Sequence, residues 1–346
     1  MKIAPRLLIL GFGNVARELL PLLASRATWL EQELALRPQL CGIGSRRTGF
    51  LIHPAGLPIT DADPATSLKL LHENGQNYAN ALDWIKAGQA AGADTLLELT
   101  TLNPDNGEPA LSYIRAALEA GLDVVTANKG PIAHAGAALH TQARSKGVHL
   151  RYEATVIDGL PLLNLAEFTL PAVGIRGWRG LLNITSAIVL RQIEEGRSLE
   201  EAIQVAQRMG VAEANPWYDL DGWDATMKTV IITNALLNAN LTPAQIQRSG
   251  IRDLAPAEIV AAAQAGTPIR LVCSASAVDG VLTASVRPER LSASDPLYAA
   301  RDSSLVQLET ATMGRISIVE HDTAVIQTAY GVLSDLIAIQ RARAER

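Results

Sequence analysis

The stretch Arg6-Leu7-Leu8-Ile9-Leu10-Gly11-Phe12-Gly13-Asn14-Val15-Ala16 limits this chain to a small set of folds. Arg6 to Leu10 reads as a short buried strand, the two glycines as a tight turn, and Val15 to Leu23 as a helix packed on a sheet. A strand that turns through glycine into a helix opens a parallel α/β unit, because the helix carries the chain back for the next parallel strand. Gly11 admits the turn, Gly13 lets the backbone approach a pyrophosphate, and Ala16 permits close helix packing. The helix start at Asn14 and Val15 adds free N–H groups and the positive end of the helix dipole. A dinucleotide cofactor is the reading this supports; an ordinary tight turn is the alternative.

The apolar run ends at Gly11, too short for a secretory signal. No window approaches the roughly 18 apolar residues that span a bilayer. At 346 residues and 48% hydrophobic, the chain can bury a sizeable core and is expected to divide into two domains. Lys plus Arg is 30 against Asp plus Glu 35, a formal net charge of −5 without a long basic block, which argues against nucleic acid and membrane as partners. Cys41 and Cys273 lie far apart without a CxxC or His-rich companion, so neither a disulfide framework nor a zinc site is indicated, and a reducing cytoplasm fits.

A second apolar strand, Gln39 to Gly44, ends in Ser45-Arg46-Arg47-Thr48. An NAD-preferring fold usually carries an acidic residue there for the ribose 2′-hydroxyl. Arg46 and Arg47 instead suit a 2′-phosphate, which guanidinium binds bidentately, so NADP is favoured over NAD; a solvated basic loop is the alternative. A loop is expected from about His53 to Pro64, then a helix near Tyr78 to Ala91 and a strand from Thr95 to Leu99. Thr100 and Thr101 follow that strand, as cofactor contacts or as helix caps. The helix Pro109 to Ala120 precedes strand Asp123 to Val125, which leads into Asn128 and Lys129 at another strand's C-terminal end.

From Val148 the regular alternation loosens. Strands near His149 to Tyr152, Arg176 to Leu182, Ile269 to Ser276, Leu282 to Arg287 and Ser304 to Thr310 suggest a second, α+β domain. Thr323 to Arg343 reads as a long amphipathic helix that folds back on the first domain. The expected layout is α/β: a Rossmann-type nucleotide-binding domain over 1–147, an α+β substrate and dimerisation domain over 148–320, and a C-terminal helix over 321–346.

Between the two sets of strands, Glu213 to Lys228 carries four carboxylates, two tryptophans and a lysine. Asp224 and Lys228 are four apart and share a helix face, directly after a loop with Glu213 and Asp219. One account is an Asp221 N-cap followed by a surface ion pair; the other is half of an active site.

Gly121 to Pro131 (GLDVVTANKGP), Glu153 to Pro161 (EATVIDGLP) and Ala212 to Lys228 (AEANPWYDLDGWDATMK), in this order, resemble homoserine dehydrogenase, and the match runs from the glycine turn to the VLSDL near the C-terminus. The resemblance implies reversible hydride transfer between NAD(P)H and aspartate 4-semialdehyde, giving homoserine, in the amino-acid biosynthesis that leads to threonine and methionine. It implies a cytoplasmic homodimer. It makes Lys228 and Lys129 catalytic, with Asp224 orienting Lys228, and gives Glu213, Asp219 and Thr185 to the substrate. It also makes Glu153, Val156, Asp158 and Leu160 a loop for sodium or a similar monovalent cation, since all-oxygen ligation suits a hard ion.

Three stretches depart from the family pattern. Ile157-Asp158 stand where EATVGAGLP has Gly-Ala; Ile184, Ala187 and Ile188 stand in the GILNGTxNYIL turn; and Glu320 to Ala324 replace a GxGAG turn. These changes cluster around the expected pocket and leave the lysines in place. A same-scaffold dehydrogenase for another small amino or hydroxy acid is the second reading, because a pocket with fewer hydrogen-bonding groups prefers a more apolar substrate. A non-catalytic cofactor-binding protein is the third.

Overall fold

Strand β1 (Arg6–Leu10) lies at the centre of a mixed sheet whose inner strands are parallel, with Leu7, Leu8 and Ile9 fully buried. The computed structural model describes residues 4–59, 63–300 and 303–344. It divides into two units, Met1–Asn164 with Ala324–Arg346, and Leu165–Thr323.

In the first unit the chain runs β1, α1 (Asn14–Leu34), β2 (Gln39–Ser45), β3 (Gly49–Pro58), α2 (Pro64–Asn74), β4 (Gln76–Tyr78), α3 (Ala81–Ala90), β5 (Thr95–Glu98), α4 (Ala110–Glu119), β6 (Asp123–Thr126), α5 (Lys129–Lys146), β7 (Leu150–Arg151) and a single turn α6 (Leu162–Asn164). The sheet order is β4-β3-β2-β1-β5-β6-β7. Strand β1 pairs in parallel with β2 on one side and β5 on the other, which makes the C-terminal edge of β1 the switch point where open α/β sheets bind ligands.

The loop expected from His53 is in fact the second half of β3. Phe50, Leu51 and Ile52 pair with Gly44, Ile43 and Gly42, and the register shifts before Leu57 and Pro58 rejoin Leu40 and Gln39. That bulge, with Gly56 at φ +74°, takes Pro54 out of the ladder. Helix α2 follows, capped by Asp63, which accepts from Ala65 N, with Pro64 in its first turn. The polar composition of this stretch had hidden both elements.

Residues 148–164 pack within the first unit. Strand β7 extends the sheet by pairing with β6, and the turn after it is tied to the C-terminal helix (Val325–Ala344). Glu153 N donates to Asp335 Oδ2 at 2.7 Å, and Asn164 Nδ2 to Asp335 Oδ1 at 3.2 Å. The packing break thus falls after Asn164, where the sequence reading placed it at 147. Ala329, Val332, Leu333, Leu336 and Ile339 of the C-terminal helix join Leu19, Leu20 and Leu23 of α1 in one core cluster. Arg343 in its last turn reaches Asp123 at 2.5 Å.

In the second unit β8 (Ile175–Leu181) leads into α7 (Ile184–Glu194), α8 (Leu199–Arg208), α9 (Trp217–Leu220) and α10 (Trp223–Leu237), then β9 (Gln247–Arg248), α11 (Pro256–Gln264), β10 (Ile269–Val278), β11 (Val281–Arg290), β12 (Ser304–Thr310) and β13 (Arg315–Glu320). The sheet order is β13-β12-β8-β10-β11-β9, antiparallel except for β9 beside β11. Helix α10 packs on β8, β10 and β11, and α7 on β10. This brings the N-terminal ends of α7 and α10 together.

Candidate active site

The chain leaves β8 at Leu181 and enters α7 through Asn183, whose backbone is extended and whose side chain caps the helix: Oδ1 accepts Ser186 N at 2.8 Å. The same side chain spends its amide hydrogens on two carboxylates. Nδ2 donates to Asp219 Oδ1 at 2.8 Å and to Asp224 Oδ2 at 3.1 Å. Asp219 belongs to α9 and Asp224 to the first turn of α10. Lys228, one turn further, stands 3.1 Å from Asp224 Oδ2 and donates to Leu182 O at 2.7 Å. Asn183, Asp219, Asp224 and Lys228 therefore form one connected group at the meeting point of β8, α7, α9 and α10. Burial, and repulsion from Asp224, push the Asp219 carboxyl above its ordinary range, with the bonds from Asn183 and Thr185 and the Lys228 charge acting against them. Thr185 also donates to Val211 O at 3.2 Å, joining α7 to the loop that carries Glu213. Glu213 itself is exposed, and its backbone carbonyl accepts from Gln207.

Asp221 does not cap α10. Gly222 takes that position at φ +81°, a left-handed value suited to glycine, so that α9 can turn sharply into α10. Asp221 instead pairs with Arg252 through two bonds of 2.6 and 2.5 Å.

In the first unit, Gly11 sits at φ +99°, and a Cβ there would lie 2.3 Å from Leu99 O. Gly13 is exposed, and a Cβ there would meet nothing within 4 Å. No side chain caps α1, which leaves the first-turn amides at Asn14 and Val15 to a ligand or solvent, while Ala16 is fully buried against the core. These features fit a dinucleotide pyrophosphate. Ser45 ends β2, its hydroxyl 2.7 Å from that of Thr48, and the turn between them projects Arg46 and Arg47 outward, both exposed. Beyond β5, Thr100 N and Thr100 Oγ1 donate to Glu98; beyond β6, Asn128 Nδ2 donates to Thr100 O at 3.3 Å and caps α5, where Lys129 begins. Thr101 is exposed, its carbonyl 3.5 Å from Asn128 Nδ2. The cofactor candidates thus meet along the C-terminal edge of one sheet. Lys129 belongs to this unit and Lys228 to the other.

Three of the four residues expected to hold a cation make hydrogen bonds within the chain. Glu153 is buried, and its two oxygens accept Leu163 N at 2.8 Å and Asn164 N at 2.5 Å. Asp158 Oδ1 accepts from Thr328 at 3.0 Å, and Leu160 O from Leu162 N at 2.8 Å; Val156 is buried. The Glu153 carboxylate is thus aimed at amide donors, and the described residues contain no group of three or more His, Cys, Asp or Glu side chains that could hold a metal.

A family model for homoserine dehydrogenase matches residues 161–337, and one for the homoserine dehydrogenase NAD-binding domain matches residues 11–153. The chain belongs to the homoserine dehydrogenase family. It is accordingly an NAD(P)-dependent oxidoreductase. It is 35% identical over 97% of its length to an NAD(+)-dependent homoserine dehydrogenase of Pseudomonas canavaninivorans, of which it covers 96%. It is 30% identical over 96% of its length to the homoserine dehydrogenase of Methanocaldococcus jannaschii, covering 98% of that protein. A crystal structure of a putative homoserine dehydrogenase from Archaeoglobus fulgidus superimposes with a TM-score of 0.82 at 28% identity, over 97% of this chain and 99% of that one. No helix among the described residues is long and apolar enough to cross a membrane.

The departures from the family pattern have structural counterparts. Asp158 and Asp322 hold left-handed backbones, φ +42° and +54°, and Asp322 stands at a glycine of the GxGAG turn. Aspartate tolerates that region better than most residues, so the turn keeps a glycine-like bend. Ala187 and Ile188 are buried within α7. Asn183 and Glu98 escaped the sequence reading, although each had a signal: Asn183 is a capping residue between a strand and a helix, and Glu98 is a lone carboxylate in an apolar strand.

Proposed function

We propose that this chain interconverts L-homoserine and L-aspartate 4-semialdehyde, with Lys228 moving the proton that accompanies the hydride. The Asn183–Asp219–Asp224–Lys228 group carries the reading. When bound, the nicotinamide coenzyme supplies or accepts the hydride. In aldehyde reduction the Lys228 ammonium gives its proton to the carbonyl oxygen as that oxygen gains charge; in homoserine oxidation the neutral amine takes the hydroxyl proton. Asp224, 3.1 Å from Nζ, orients the lysine, and Leu182 O fixes its second direction. Asp219 and Glu213 offer carboxylates for the substrate ammonium and Thr185 a hydroxyl, and Lys129 serves as a second catalytic cation. No residue role in this reading depends on a sodium ion.

For the coenzyme we propose NADP. Arg46 and Arg47 occupy the β2 turn, and no acidic residue stands among residues 45–48. NAD is the second reading, favoured by the 35% identity to an NAD(+)-dependent relative. A cytoplasmic homodimer belongs to the same proposal and is tested by sedimentation. The deciding experiment is initial-rate absorbance of reduced nicotinamide with L-homoserine and each coenzyme. Turnover with homoserine that Lys228→Met abolishes supports the reaction. Coenzyme binding without homoserine turnover would move the substrate to another small amino or hydroxy acid.

A further inference from the structure

We infer that Glu98 is a positioning residue that locks the turn after β5 to the start of α5, and so sets where Lys129 stands. The inference rests on the reading of Lys129 as a dehydrogenase residue. Glu98 is fully buried at the C-terminal end of β5. Burying a carboxylate is costly, and a Val or Leu in its place would suit a parallel strand better, so its presence needs a purpose beyond packing.

Its bonds supply one. Thr100 N donates to Oε1 at 2.9 Å and Thr100 Oγ1 donates to the same oxygen; Thr126 Oγ1, on the adjacent strand β6, donates to Oε2 at 2.7 Å. Thr126 Oγ1 in turn accepts Asn128 N at 2.9 Å, Asn128 Oδ1 accepts Gly130 N at 3.1 Å, and Asn128 Nδ2 returns to Thr100 O. The circuit closes around Lys129. From the other side Gly130 is pressed against the loop after β5, since a Cβ there would lie 2.8 Å from Asn103 O and 2.9 Å from Gly107 Cα. Three donors converge on the carboxylate, and only an acceptor at both oxygens satisfies them together. An amide cannot: with its oxygen on Thr100 N, its NH2 meets the Thr126 hydroxyl, which must stop donating.

Thr126 separates hydrogen bonding from packing. Thr126→Val keeps the shape and deletes the hydroxyl; Thr126→Ser keeps the hydroxyl and deletes a methyl. We expect Thr126→Val and Glu98→Gln each to lower kcat about tenfold with KM for homoserine within about twofold, and the double variant to add little. Thr126→Ser should restore most of kcat. Amide hydrogen exchange at Asn128 and Gly130 should quicken in Thr126→Val and Glu98→Gln but not in Thr126→Ser. Wild-type kcat and exchange in Thr126→Val, or a greater loss in Thr126→Ser than in Thr126→Val, would overturn the inference in favour of packing. If the wild type turns over no homoserine, the dehydrogenase reading fails separately, and the exchange rates still decide the role of Glu98.

Discussion

Lys228 Nζ lies 3.1 Å from Asp224 Oδ2, one helical turn away, and the two side chains are only 17% and 12% exposed. The pair is shielded and does not lie on the open surface. A pair so shielded, with Asp224 also bonded to Asn183, holds the lysine in one direction instead of trailing in solvent. Replacing Lys228 by Met keeps most of the apolar stem and removes the ammonium. We expect Lys228→Met to cut kcat by a factor of about 10² to 10⁴, the range for loss of a general acid or base, with NADPH affinity unchanged by fluorescence titration. Retained turnover would transfer the proton step to another group.

Asn183 keeps two carboxylates side by side. Without its two N–H donors, Asp219 loses a bond that opposes the upward push of burial and of Asp224. The Asp219 carboxyl then protonates at a still higher pH. If the ionised form binds substrate, the acid limb of kcat/KM moves to higher pH in Asn183→Leu, and more so in Asn183→Asp, where a third carboxylate joins the group. A pH–rate profile measured on both variants and the wild type checks this; superimposable acid limbs would remove Asp219 from the substrate site.

Gly11 and Gly13 are alike in sequence and opposite in consequence. Gly11 is hemmed in by Leu99 O and holds φ +99°, so Gly11→Ala should lower stability by at least about 1–3 kcal/mol. Gly13 faces open space, so Gly13→Asp should leave Tm within a few degrees while the added carboxylate repels the pyrophosphate, weakening NADPH binding by about tenfold or more. Thermal melts and coenzyme titration separate the two. Equal losses of stability would mean that Gly13 also serves the fold.

Much of this was legible because it depends on local pattern. The glycine turn, the parallel strands and the Asp224–Lys228 spacing are features of a few consecutive residues, and each took the expected form. What stayed hidden depends on pairing at a distance. Strand β3 is a strand only because Phe50 to Ile52 find β2, and its Pro and Gly are absorbed by a bulge that no local rule announces. Asp221 had every local reason to cap a helix, but Gly222 in the left-handed region moved the helix start past it. Glu153, expected to serve a metal, found backbone amides ten and eleven residues on. Asp335 gave no signal until the C-terminal helix met Glu153.

That contact gives the fold a pH dependence. Asp335 is fully buried, and burial with repulsion from Glu153 pushes its carboxyl from 3.8 up to about 7, against the bonds from Glu153 N and Asn164 and the charge of Arg151. Burial raises Glu153 in the same direction. Between about pH 4 and 7 the folded chain keeps a proton on Asp335 that the unfolded chain releases. The unfolded state then binds fewer protons, and stability falls as pH rises, by up to about 1.4 kcal/mol per pH unit from this group, levelling above the folded value. Asp335→Asn keeps an oxygen for Glu153 N and, once the Asn164 amide turns, a bond to its neighbour. We therefore expect urea unfolding from pH 5 to 8 to show a shallower decline in Asp335→Asn than in the wild type, with the Glu153 contribution remaining, and a variant at least as stable as the wild type above pH 7. Parallel curves would mean that Asp335 is ionised in the folded chain throughout, with its charge balanced by Arg151 and the donors that surround it.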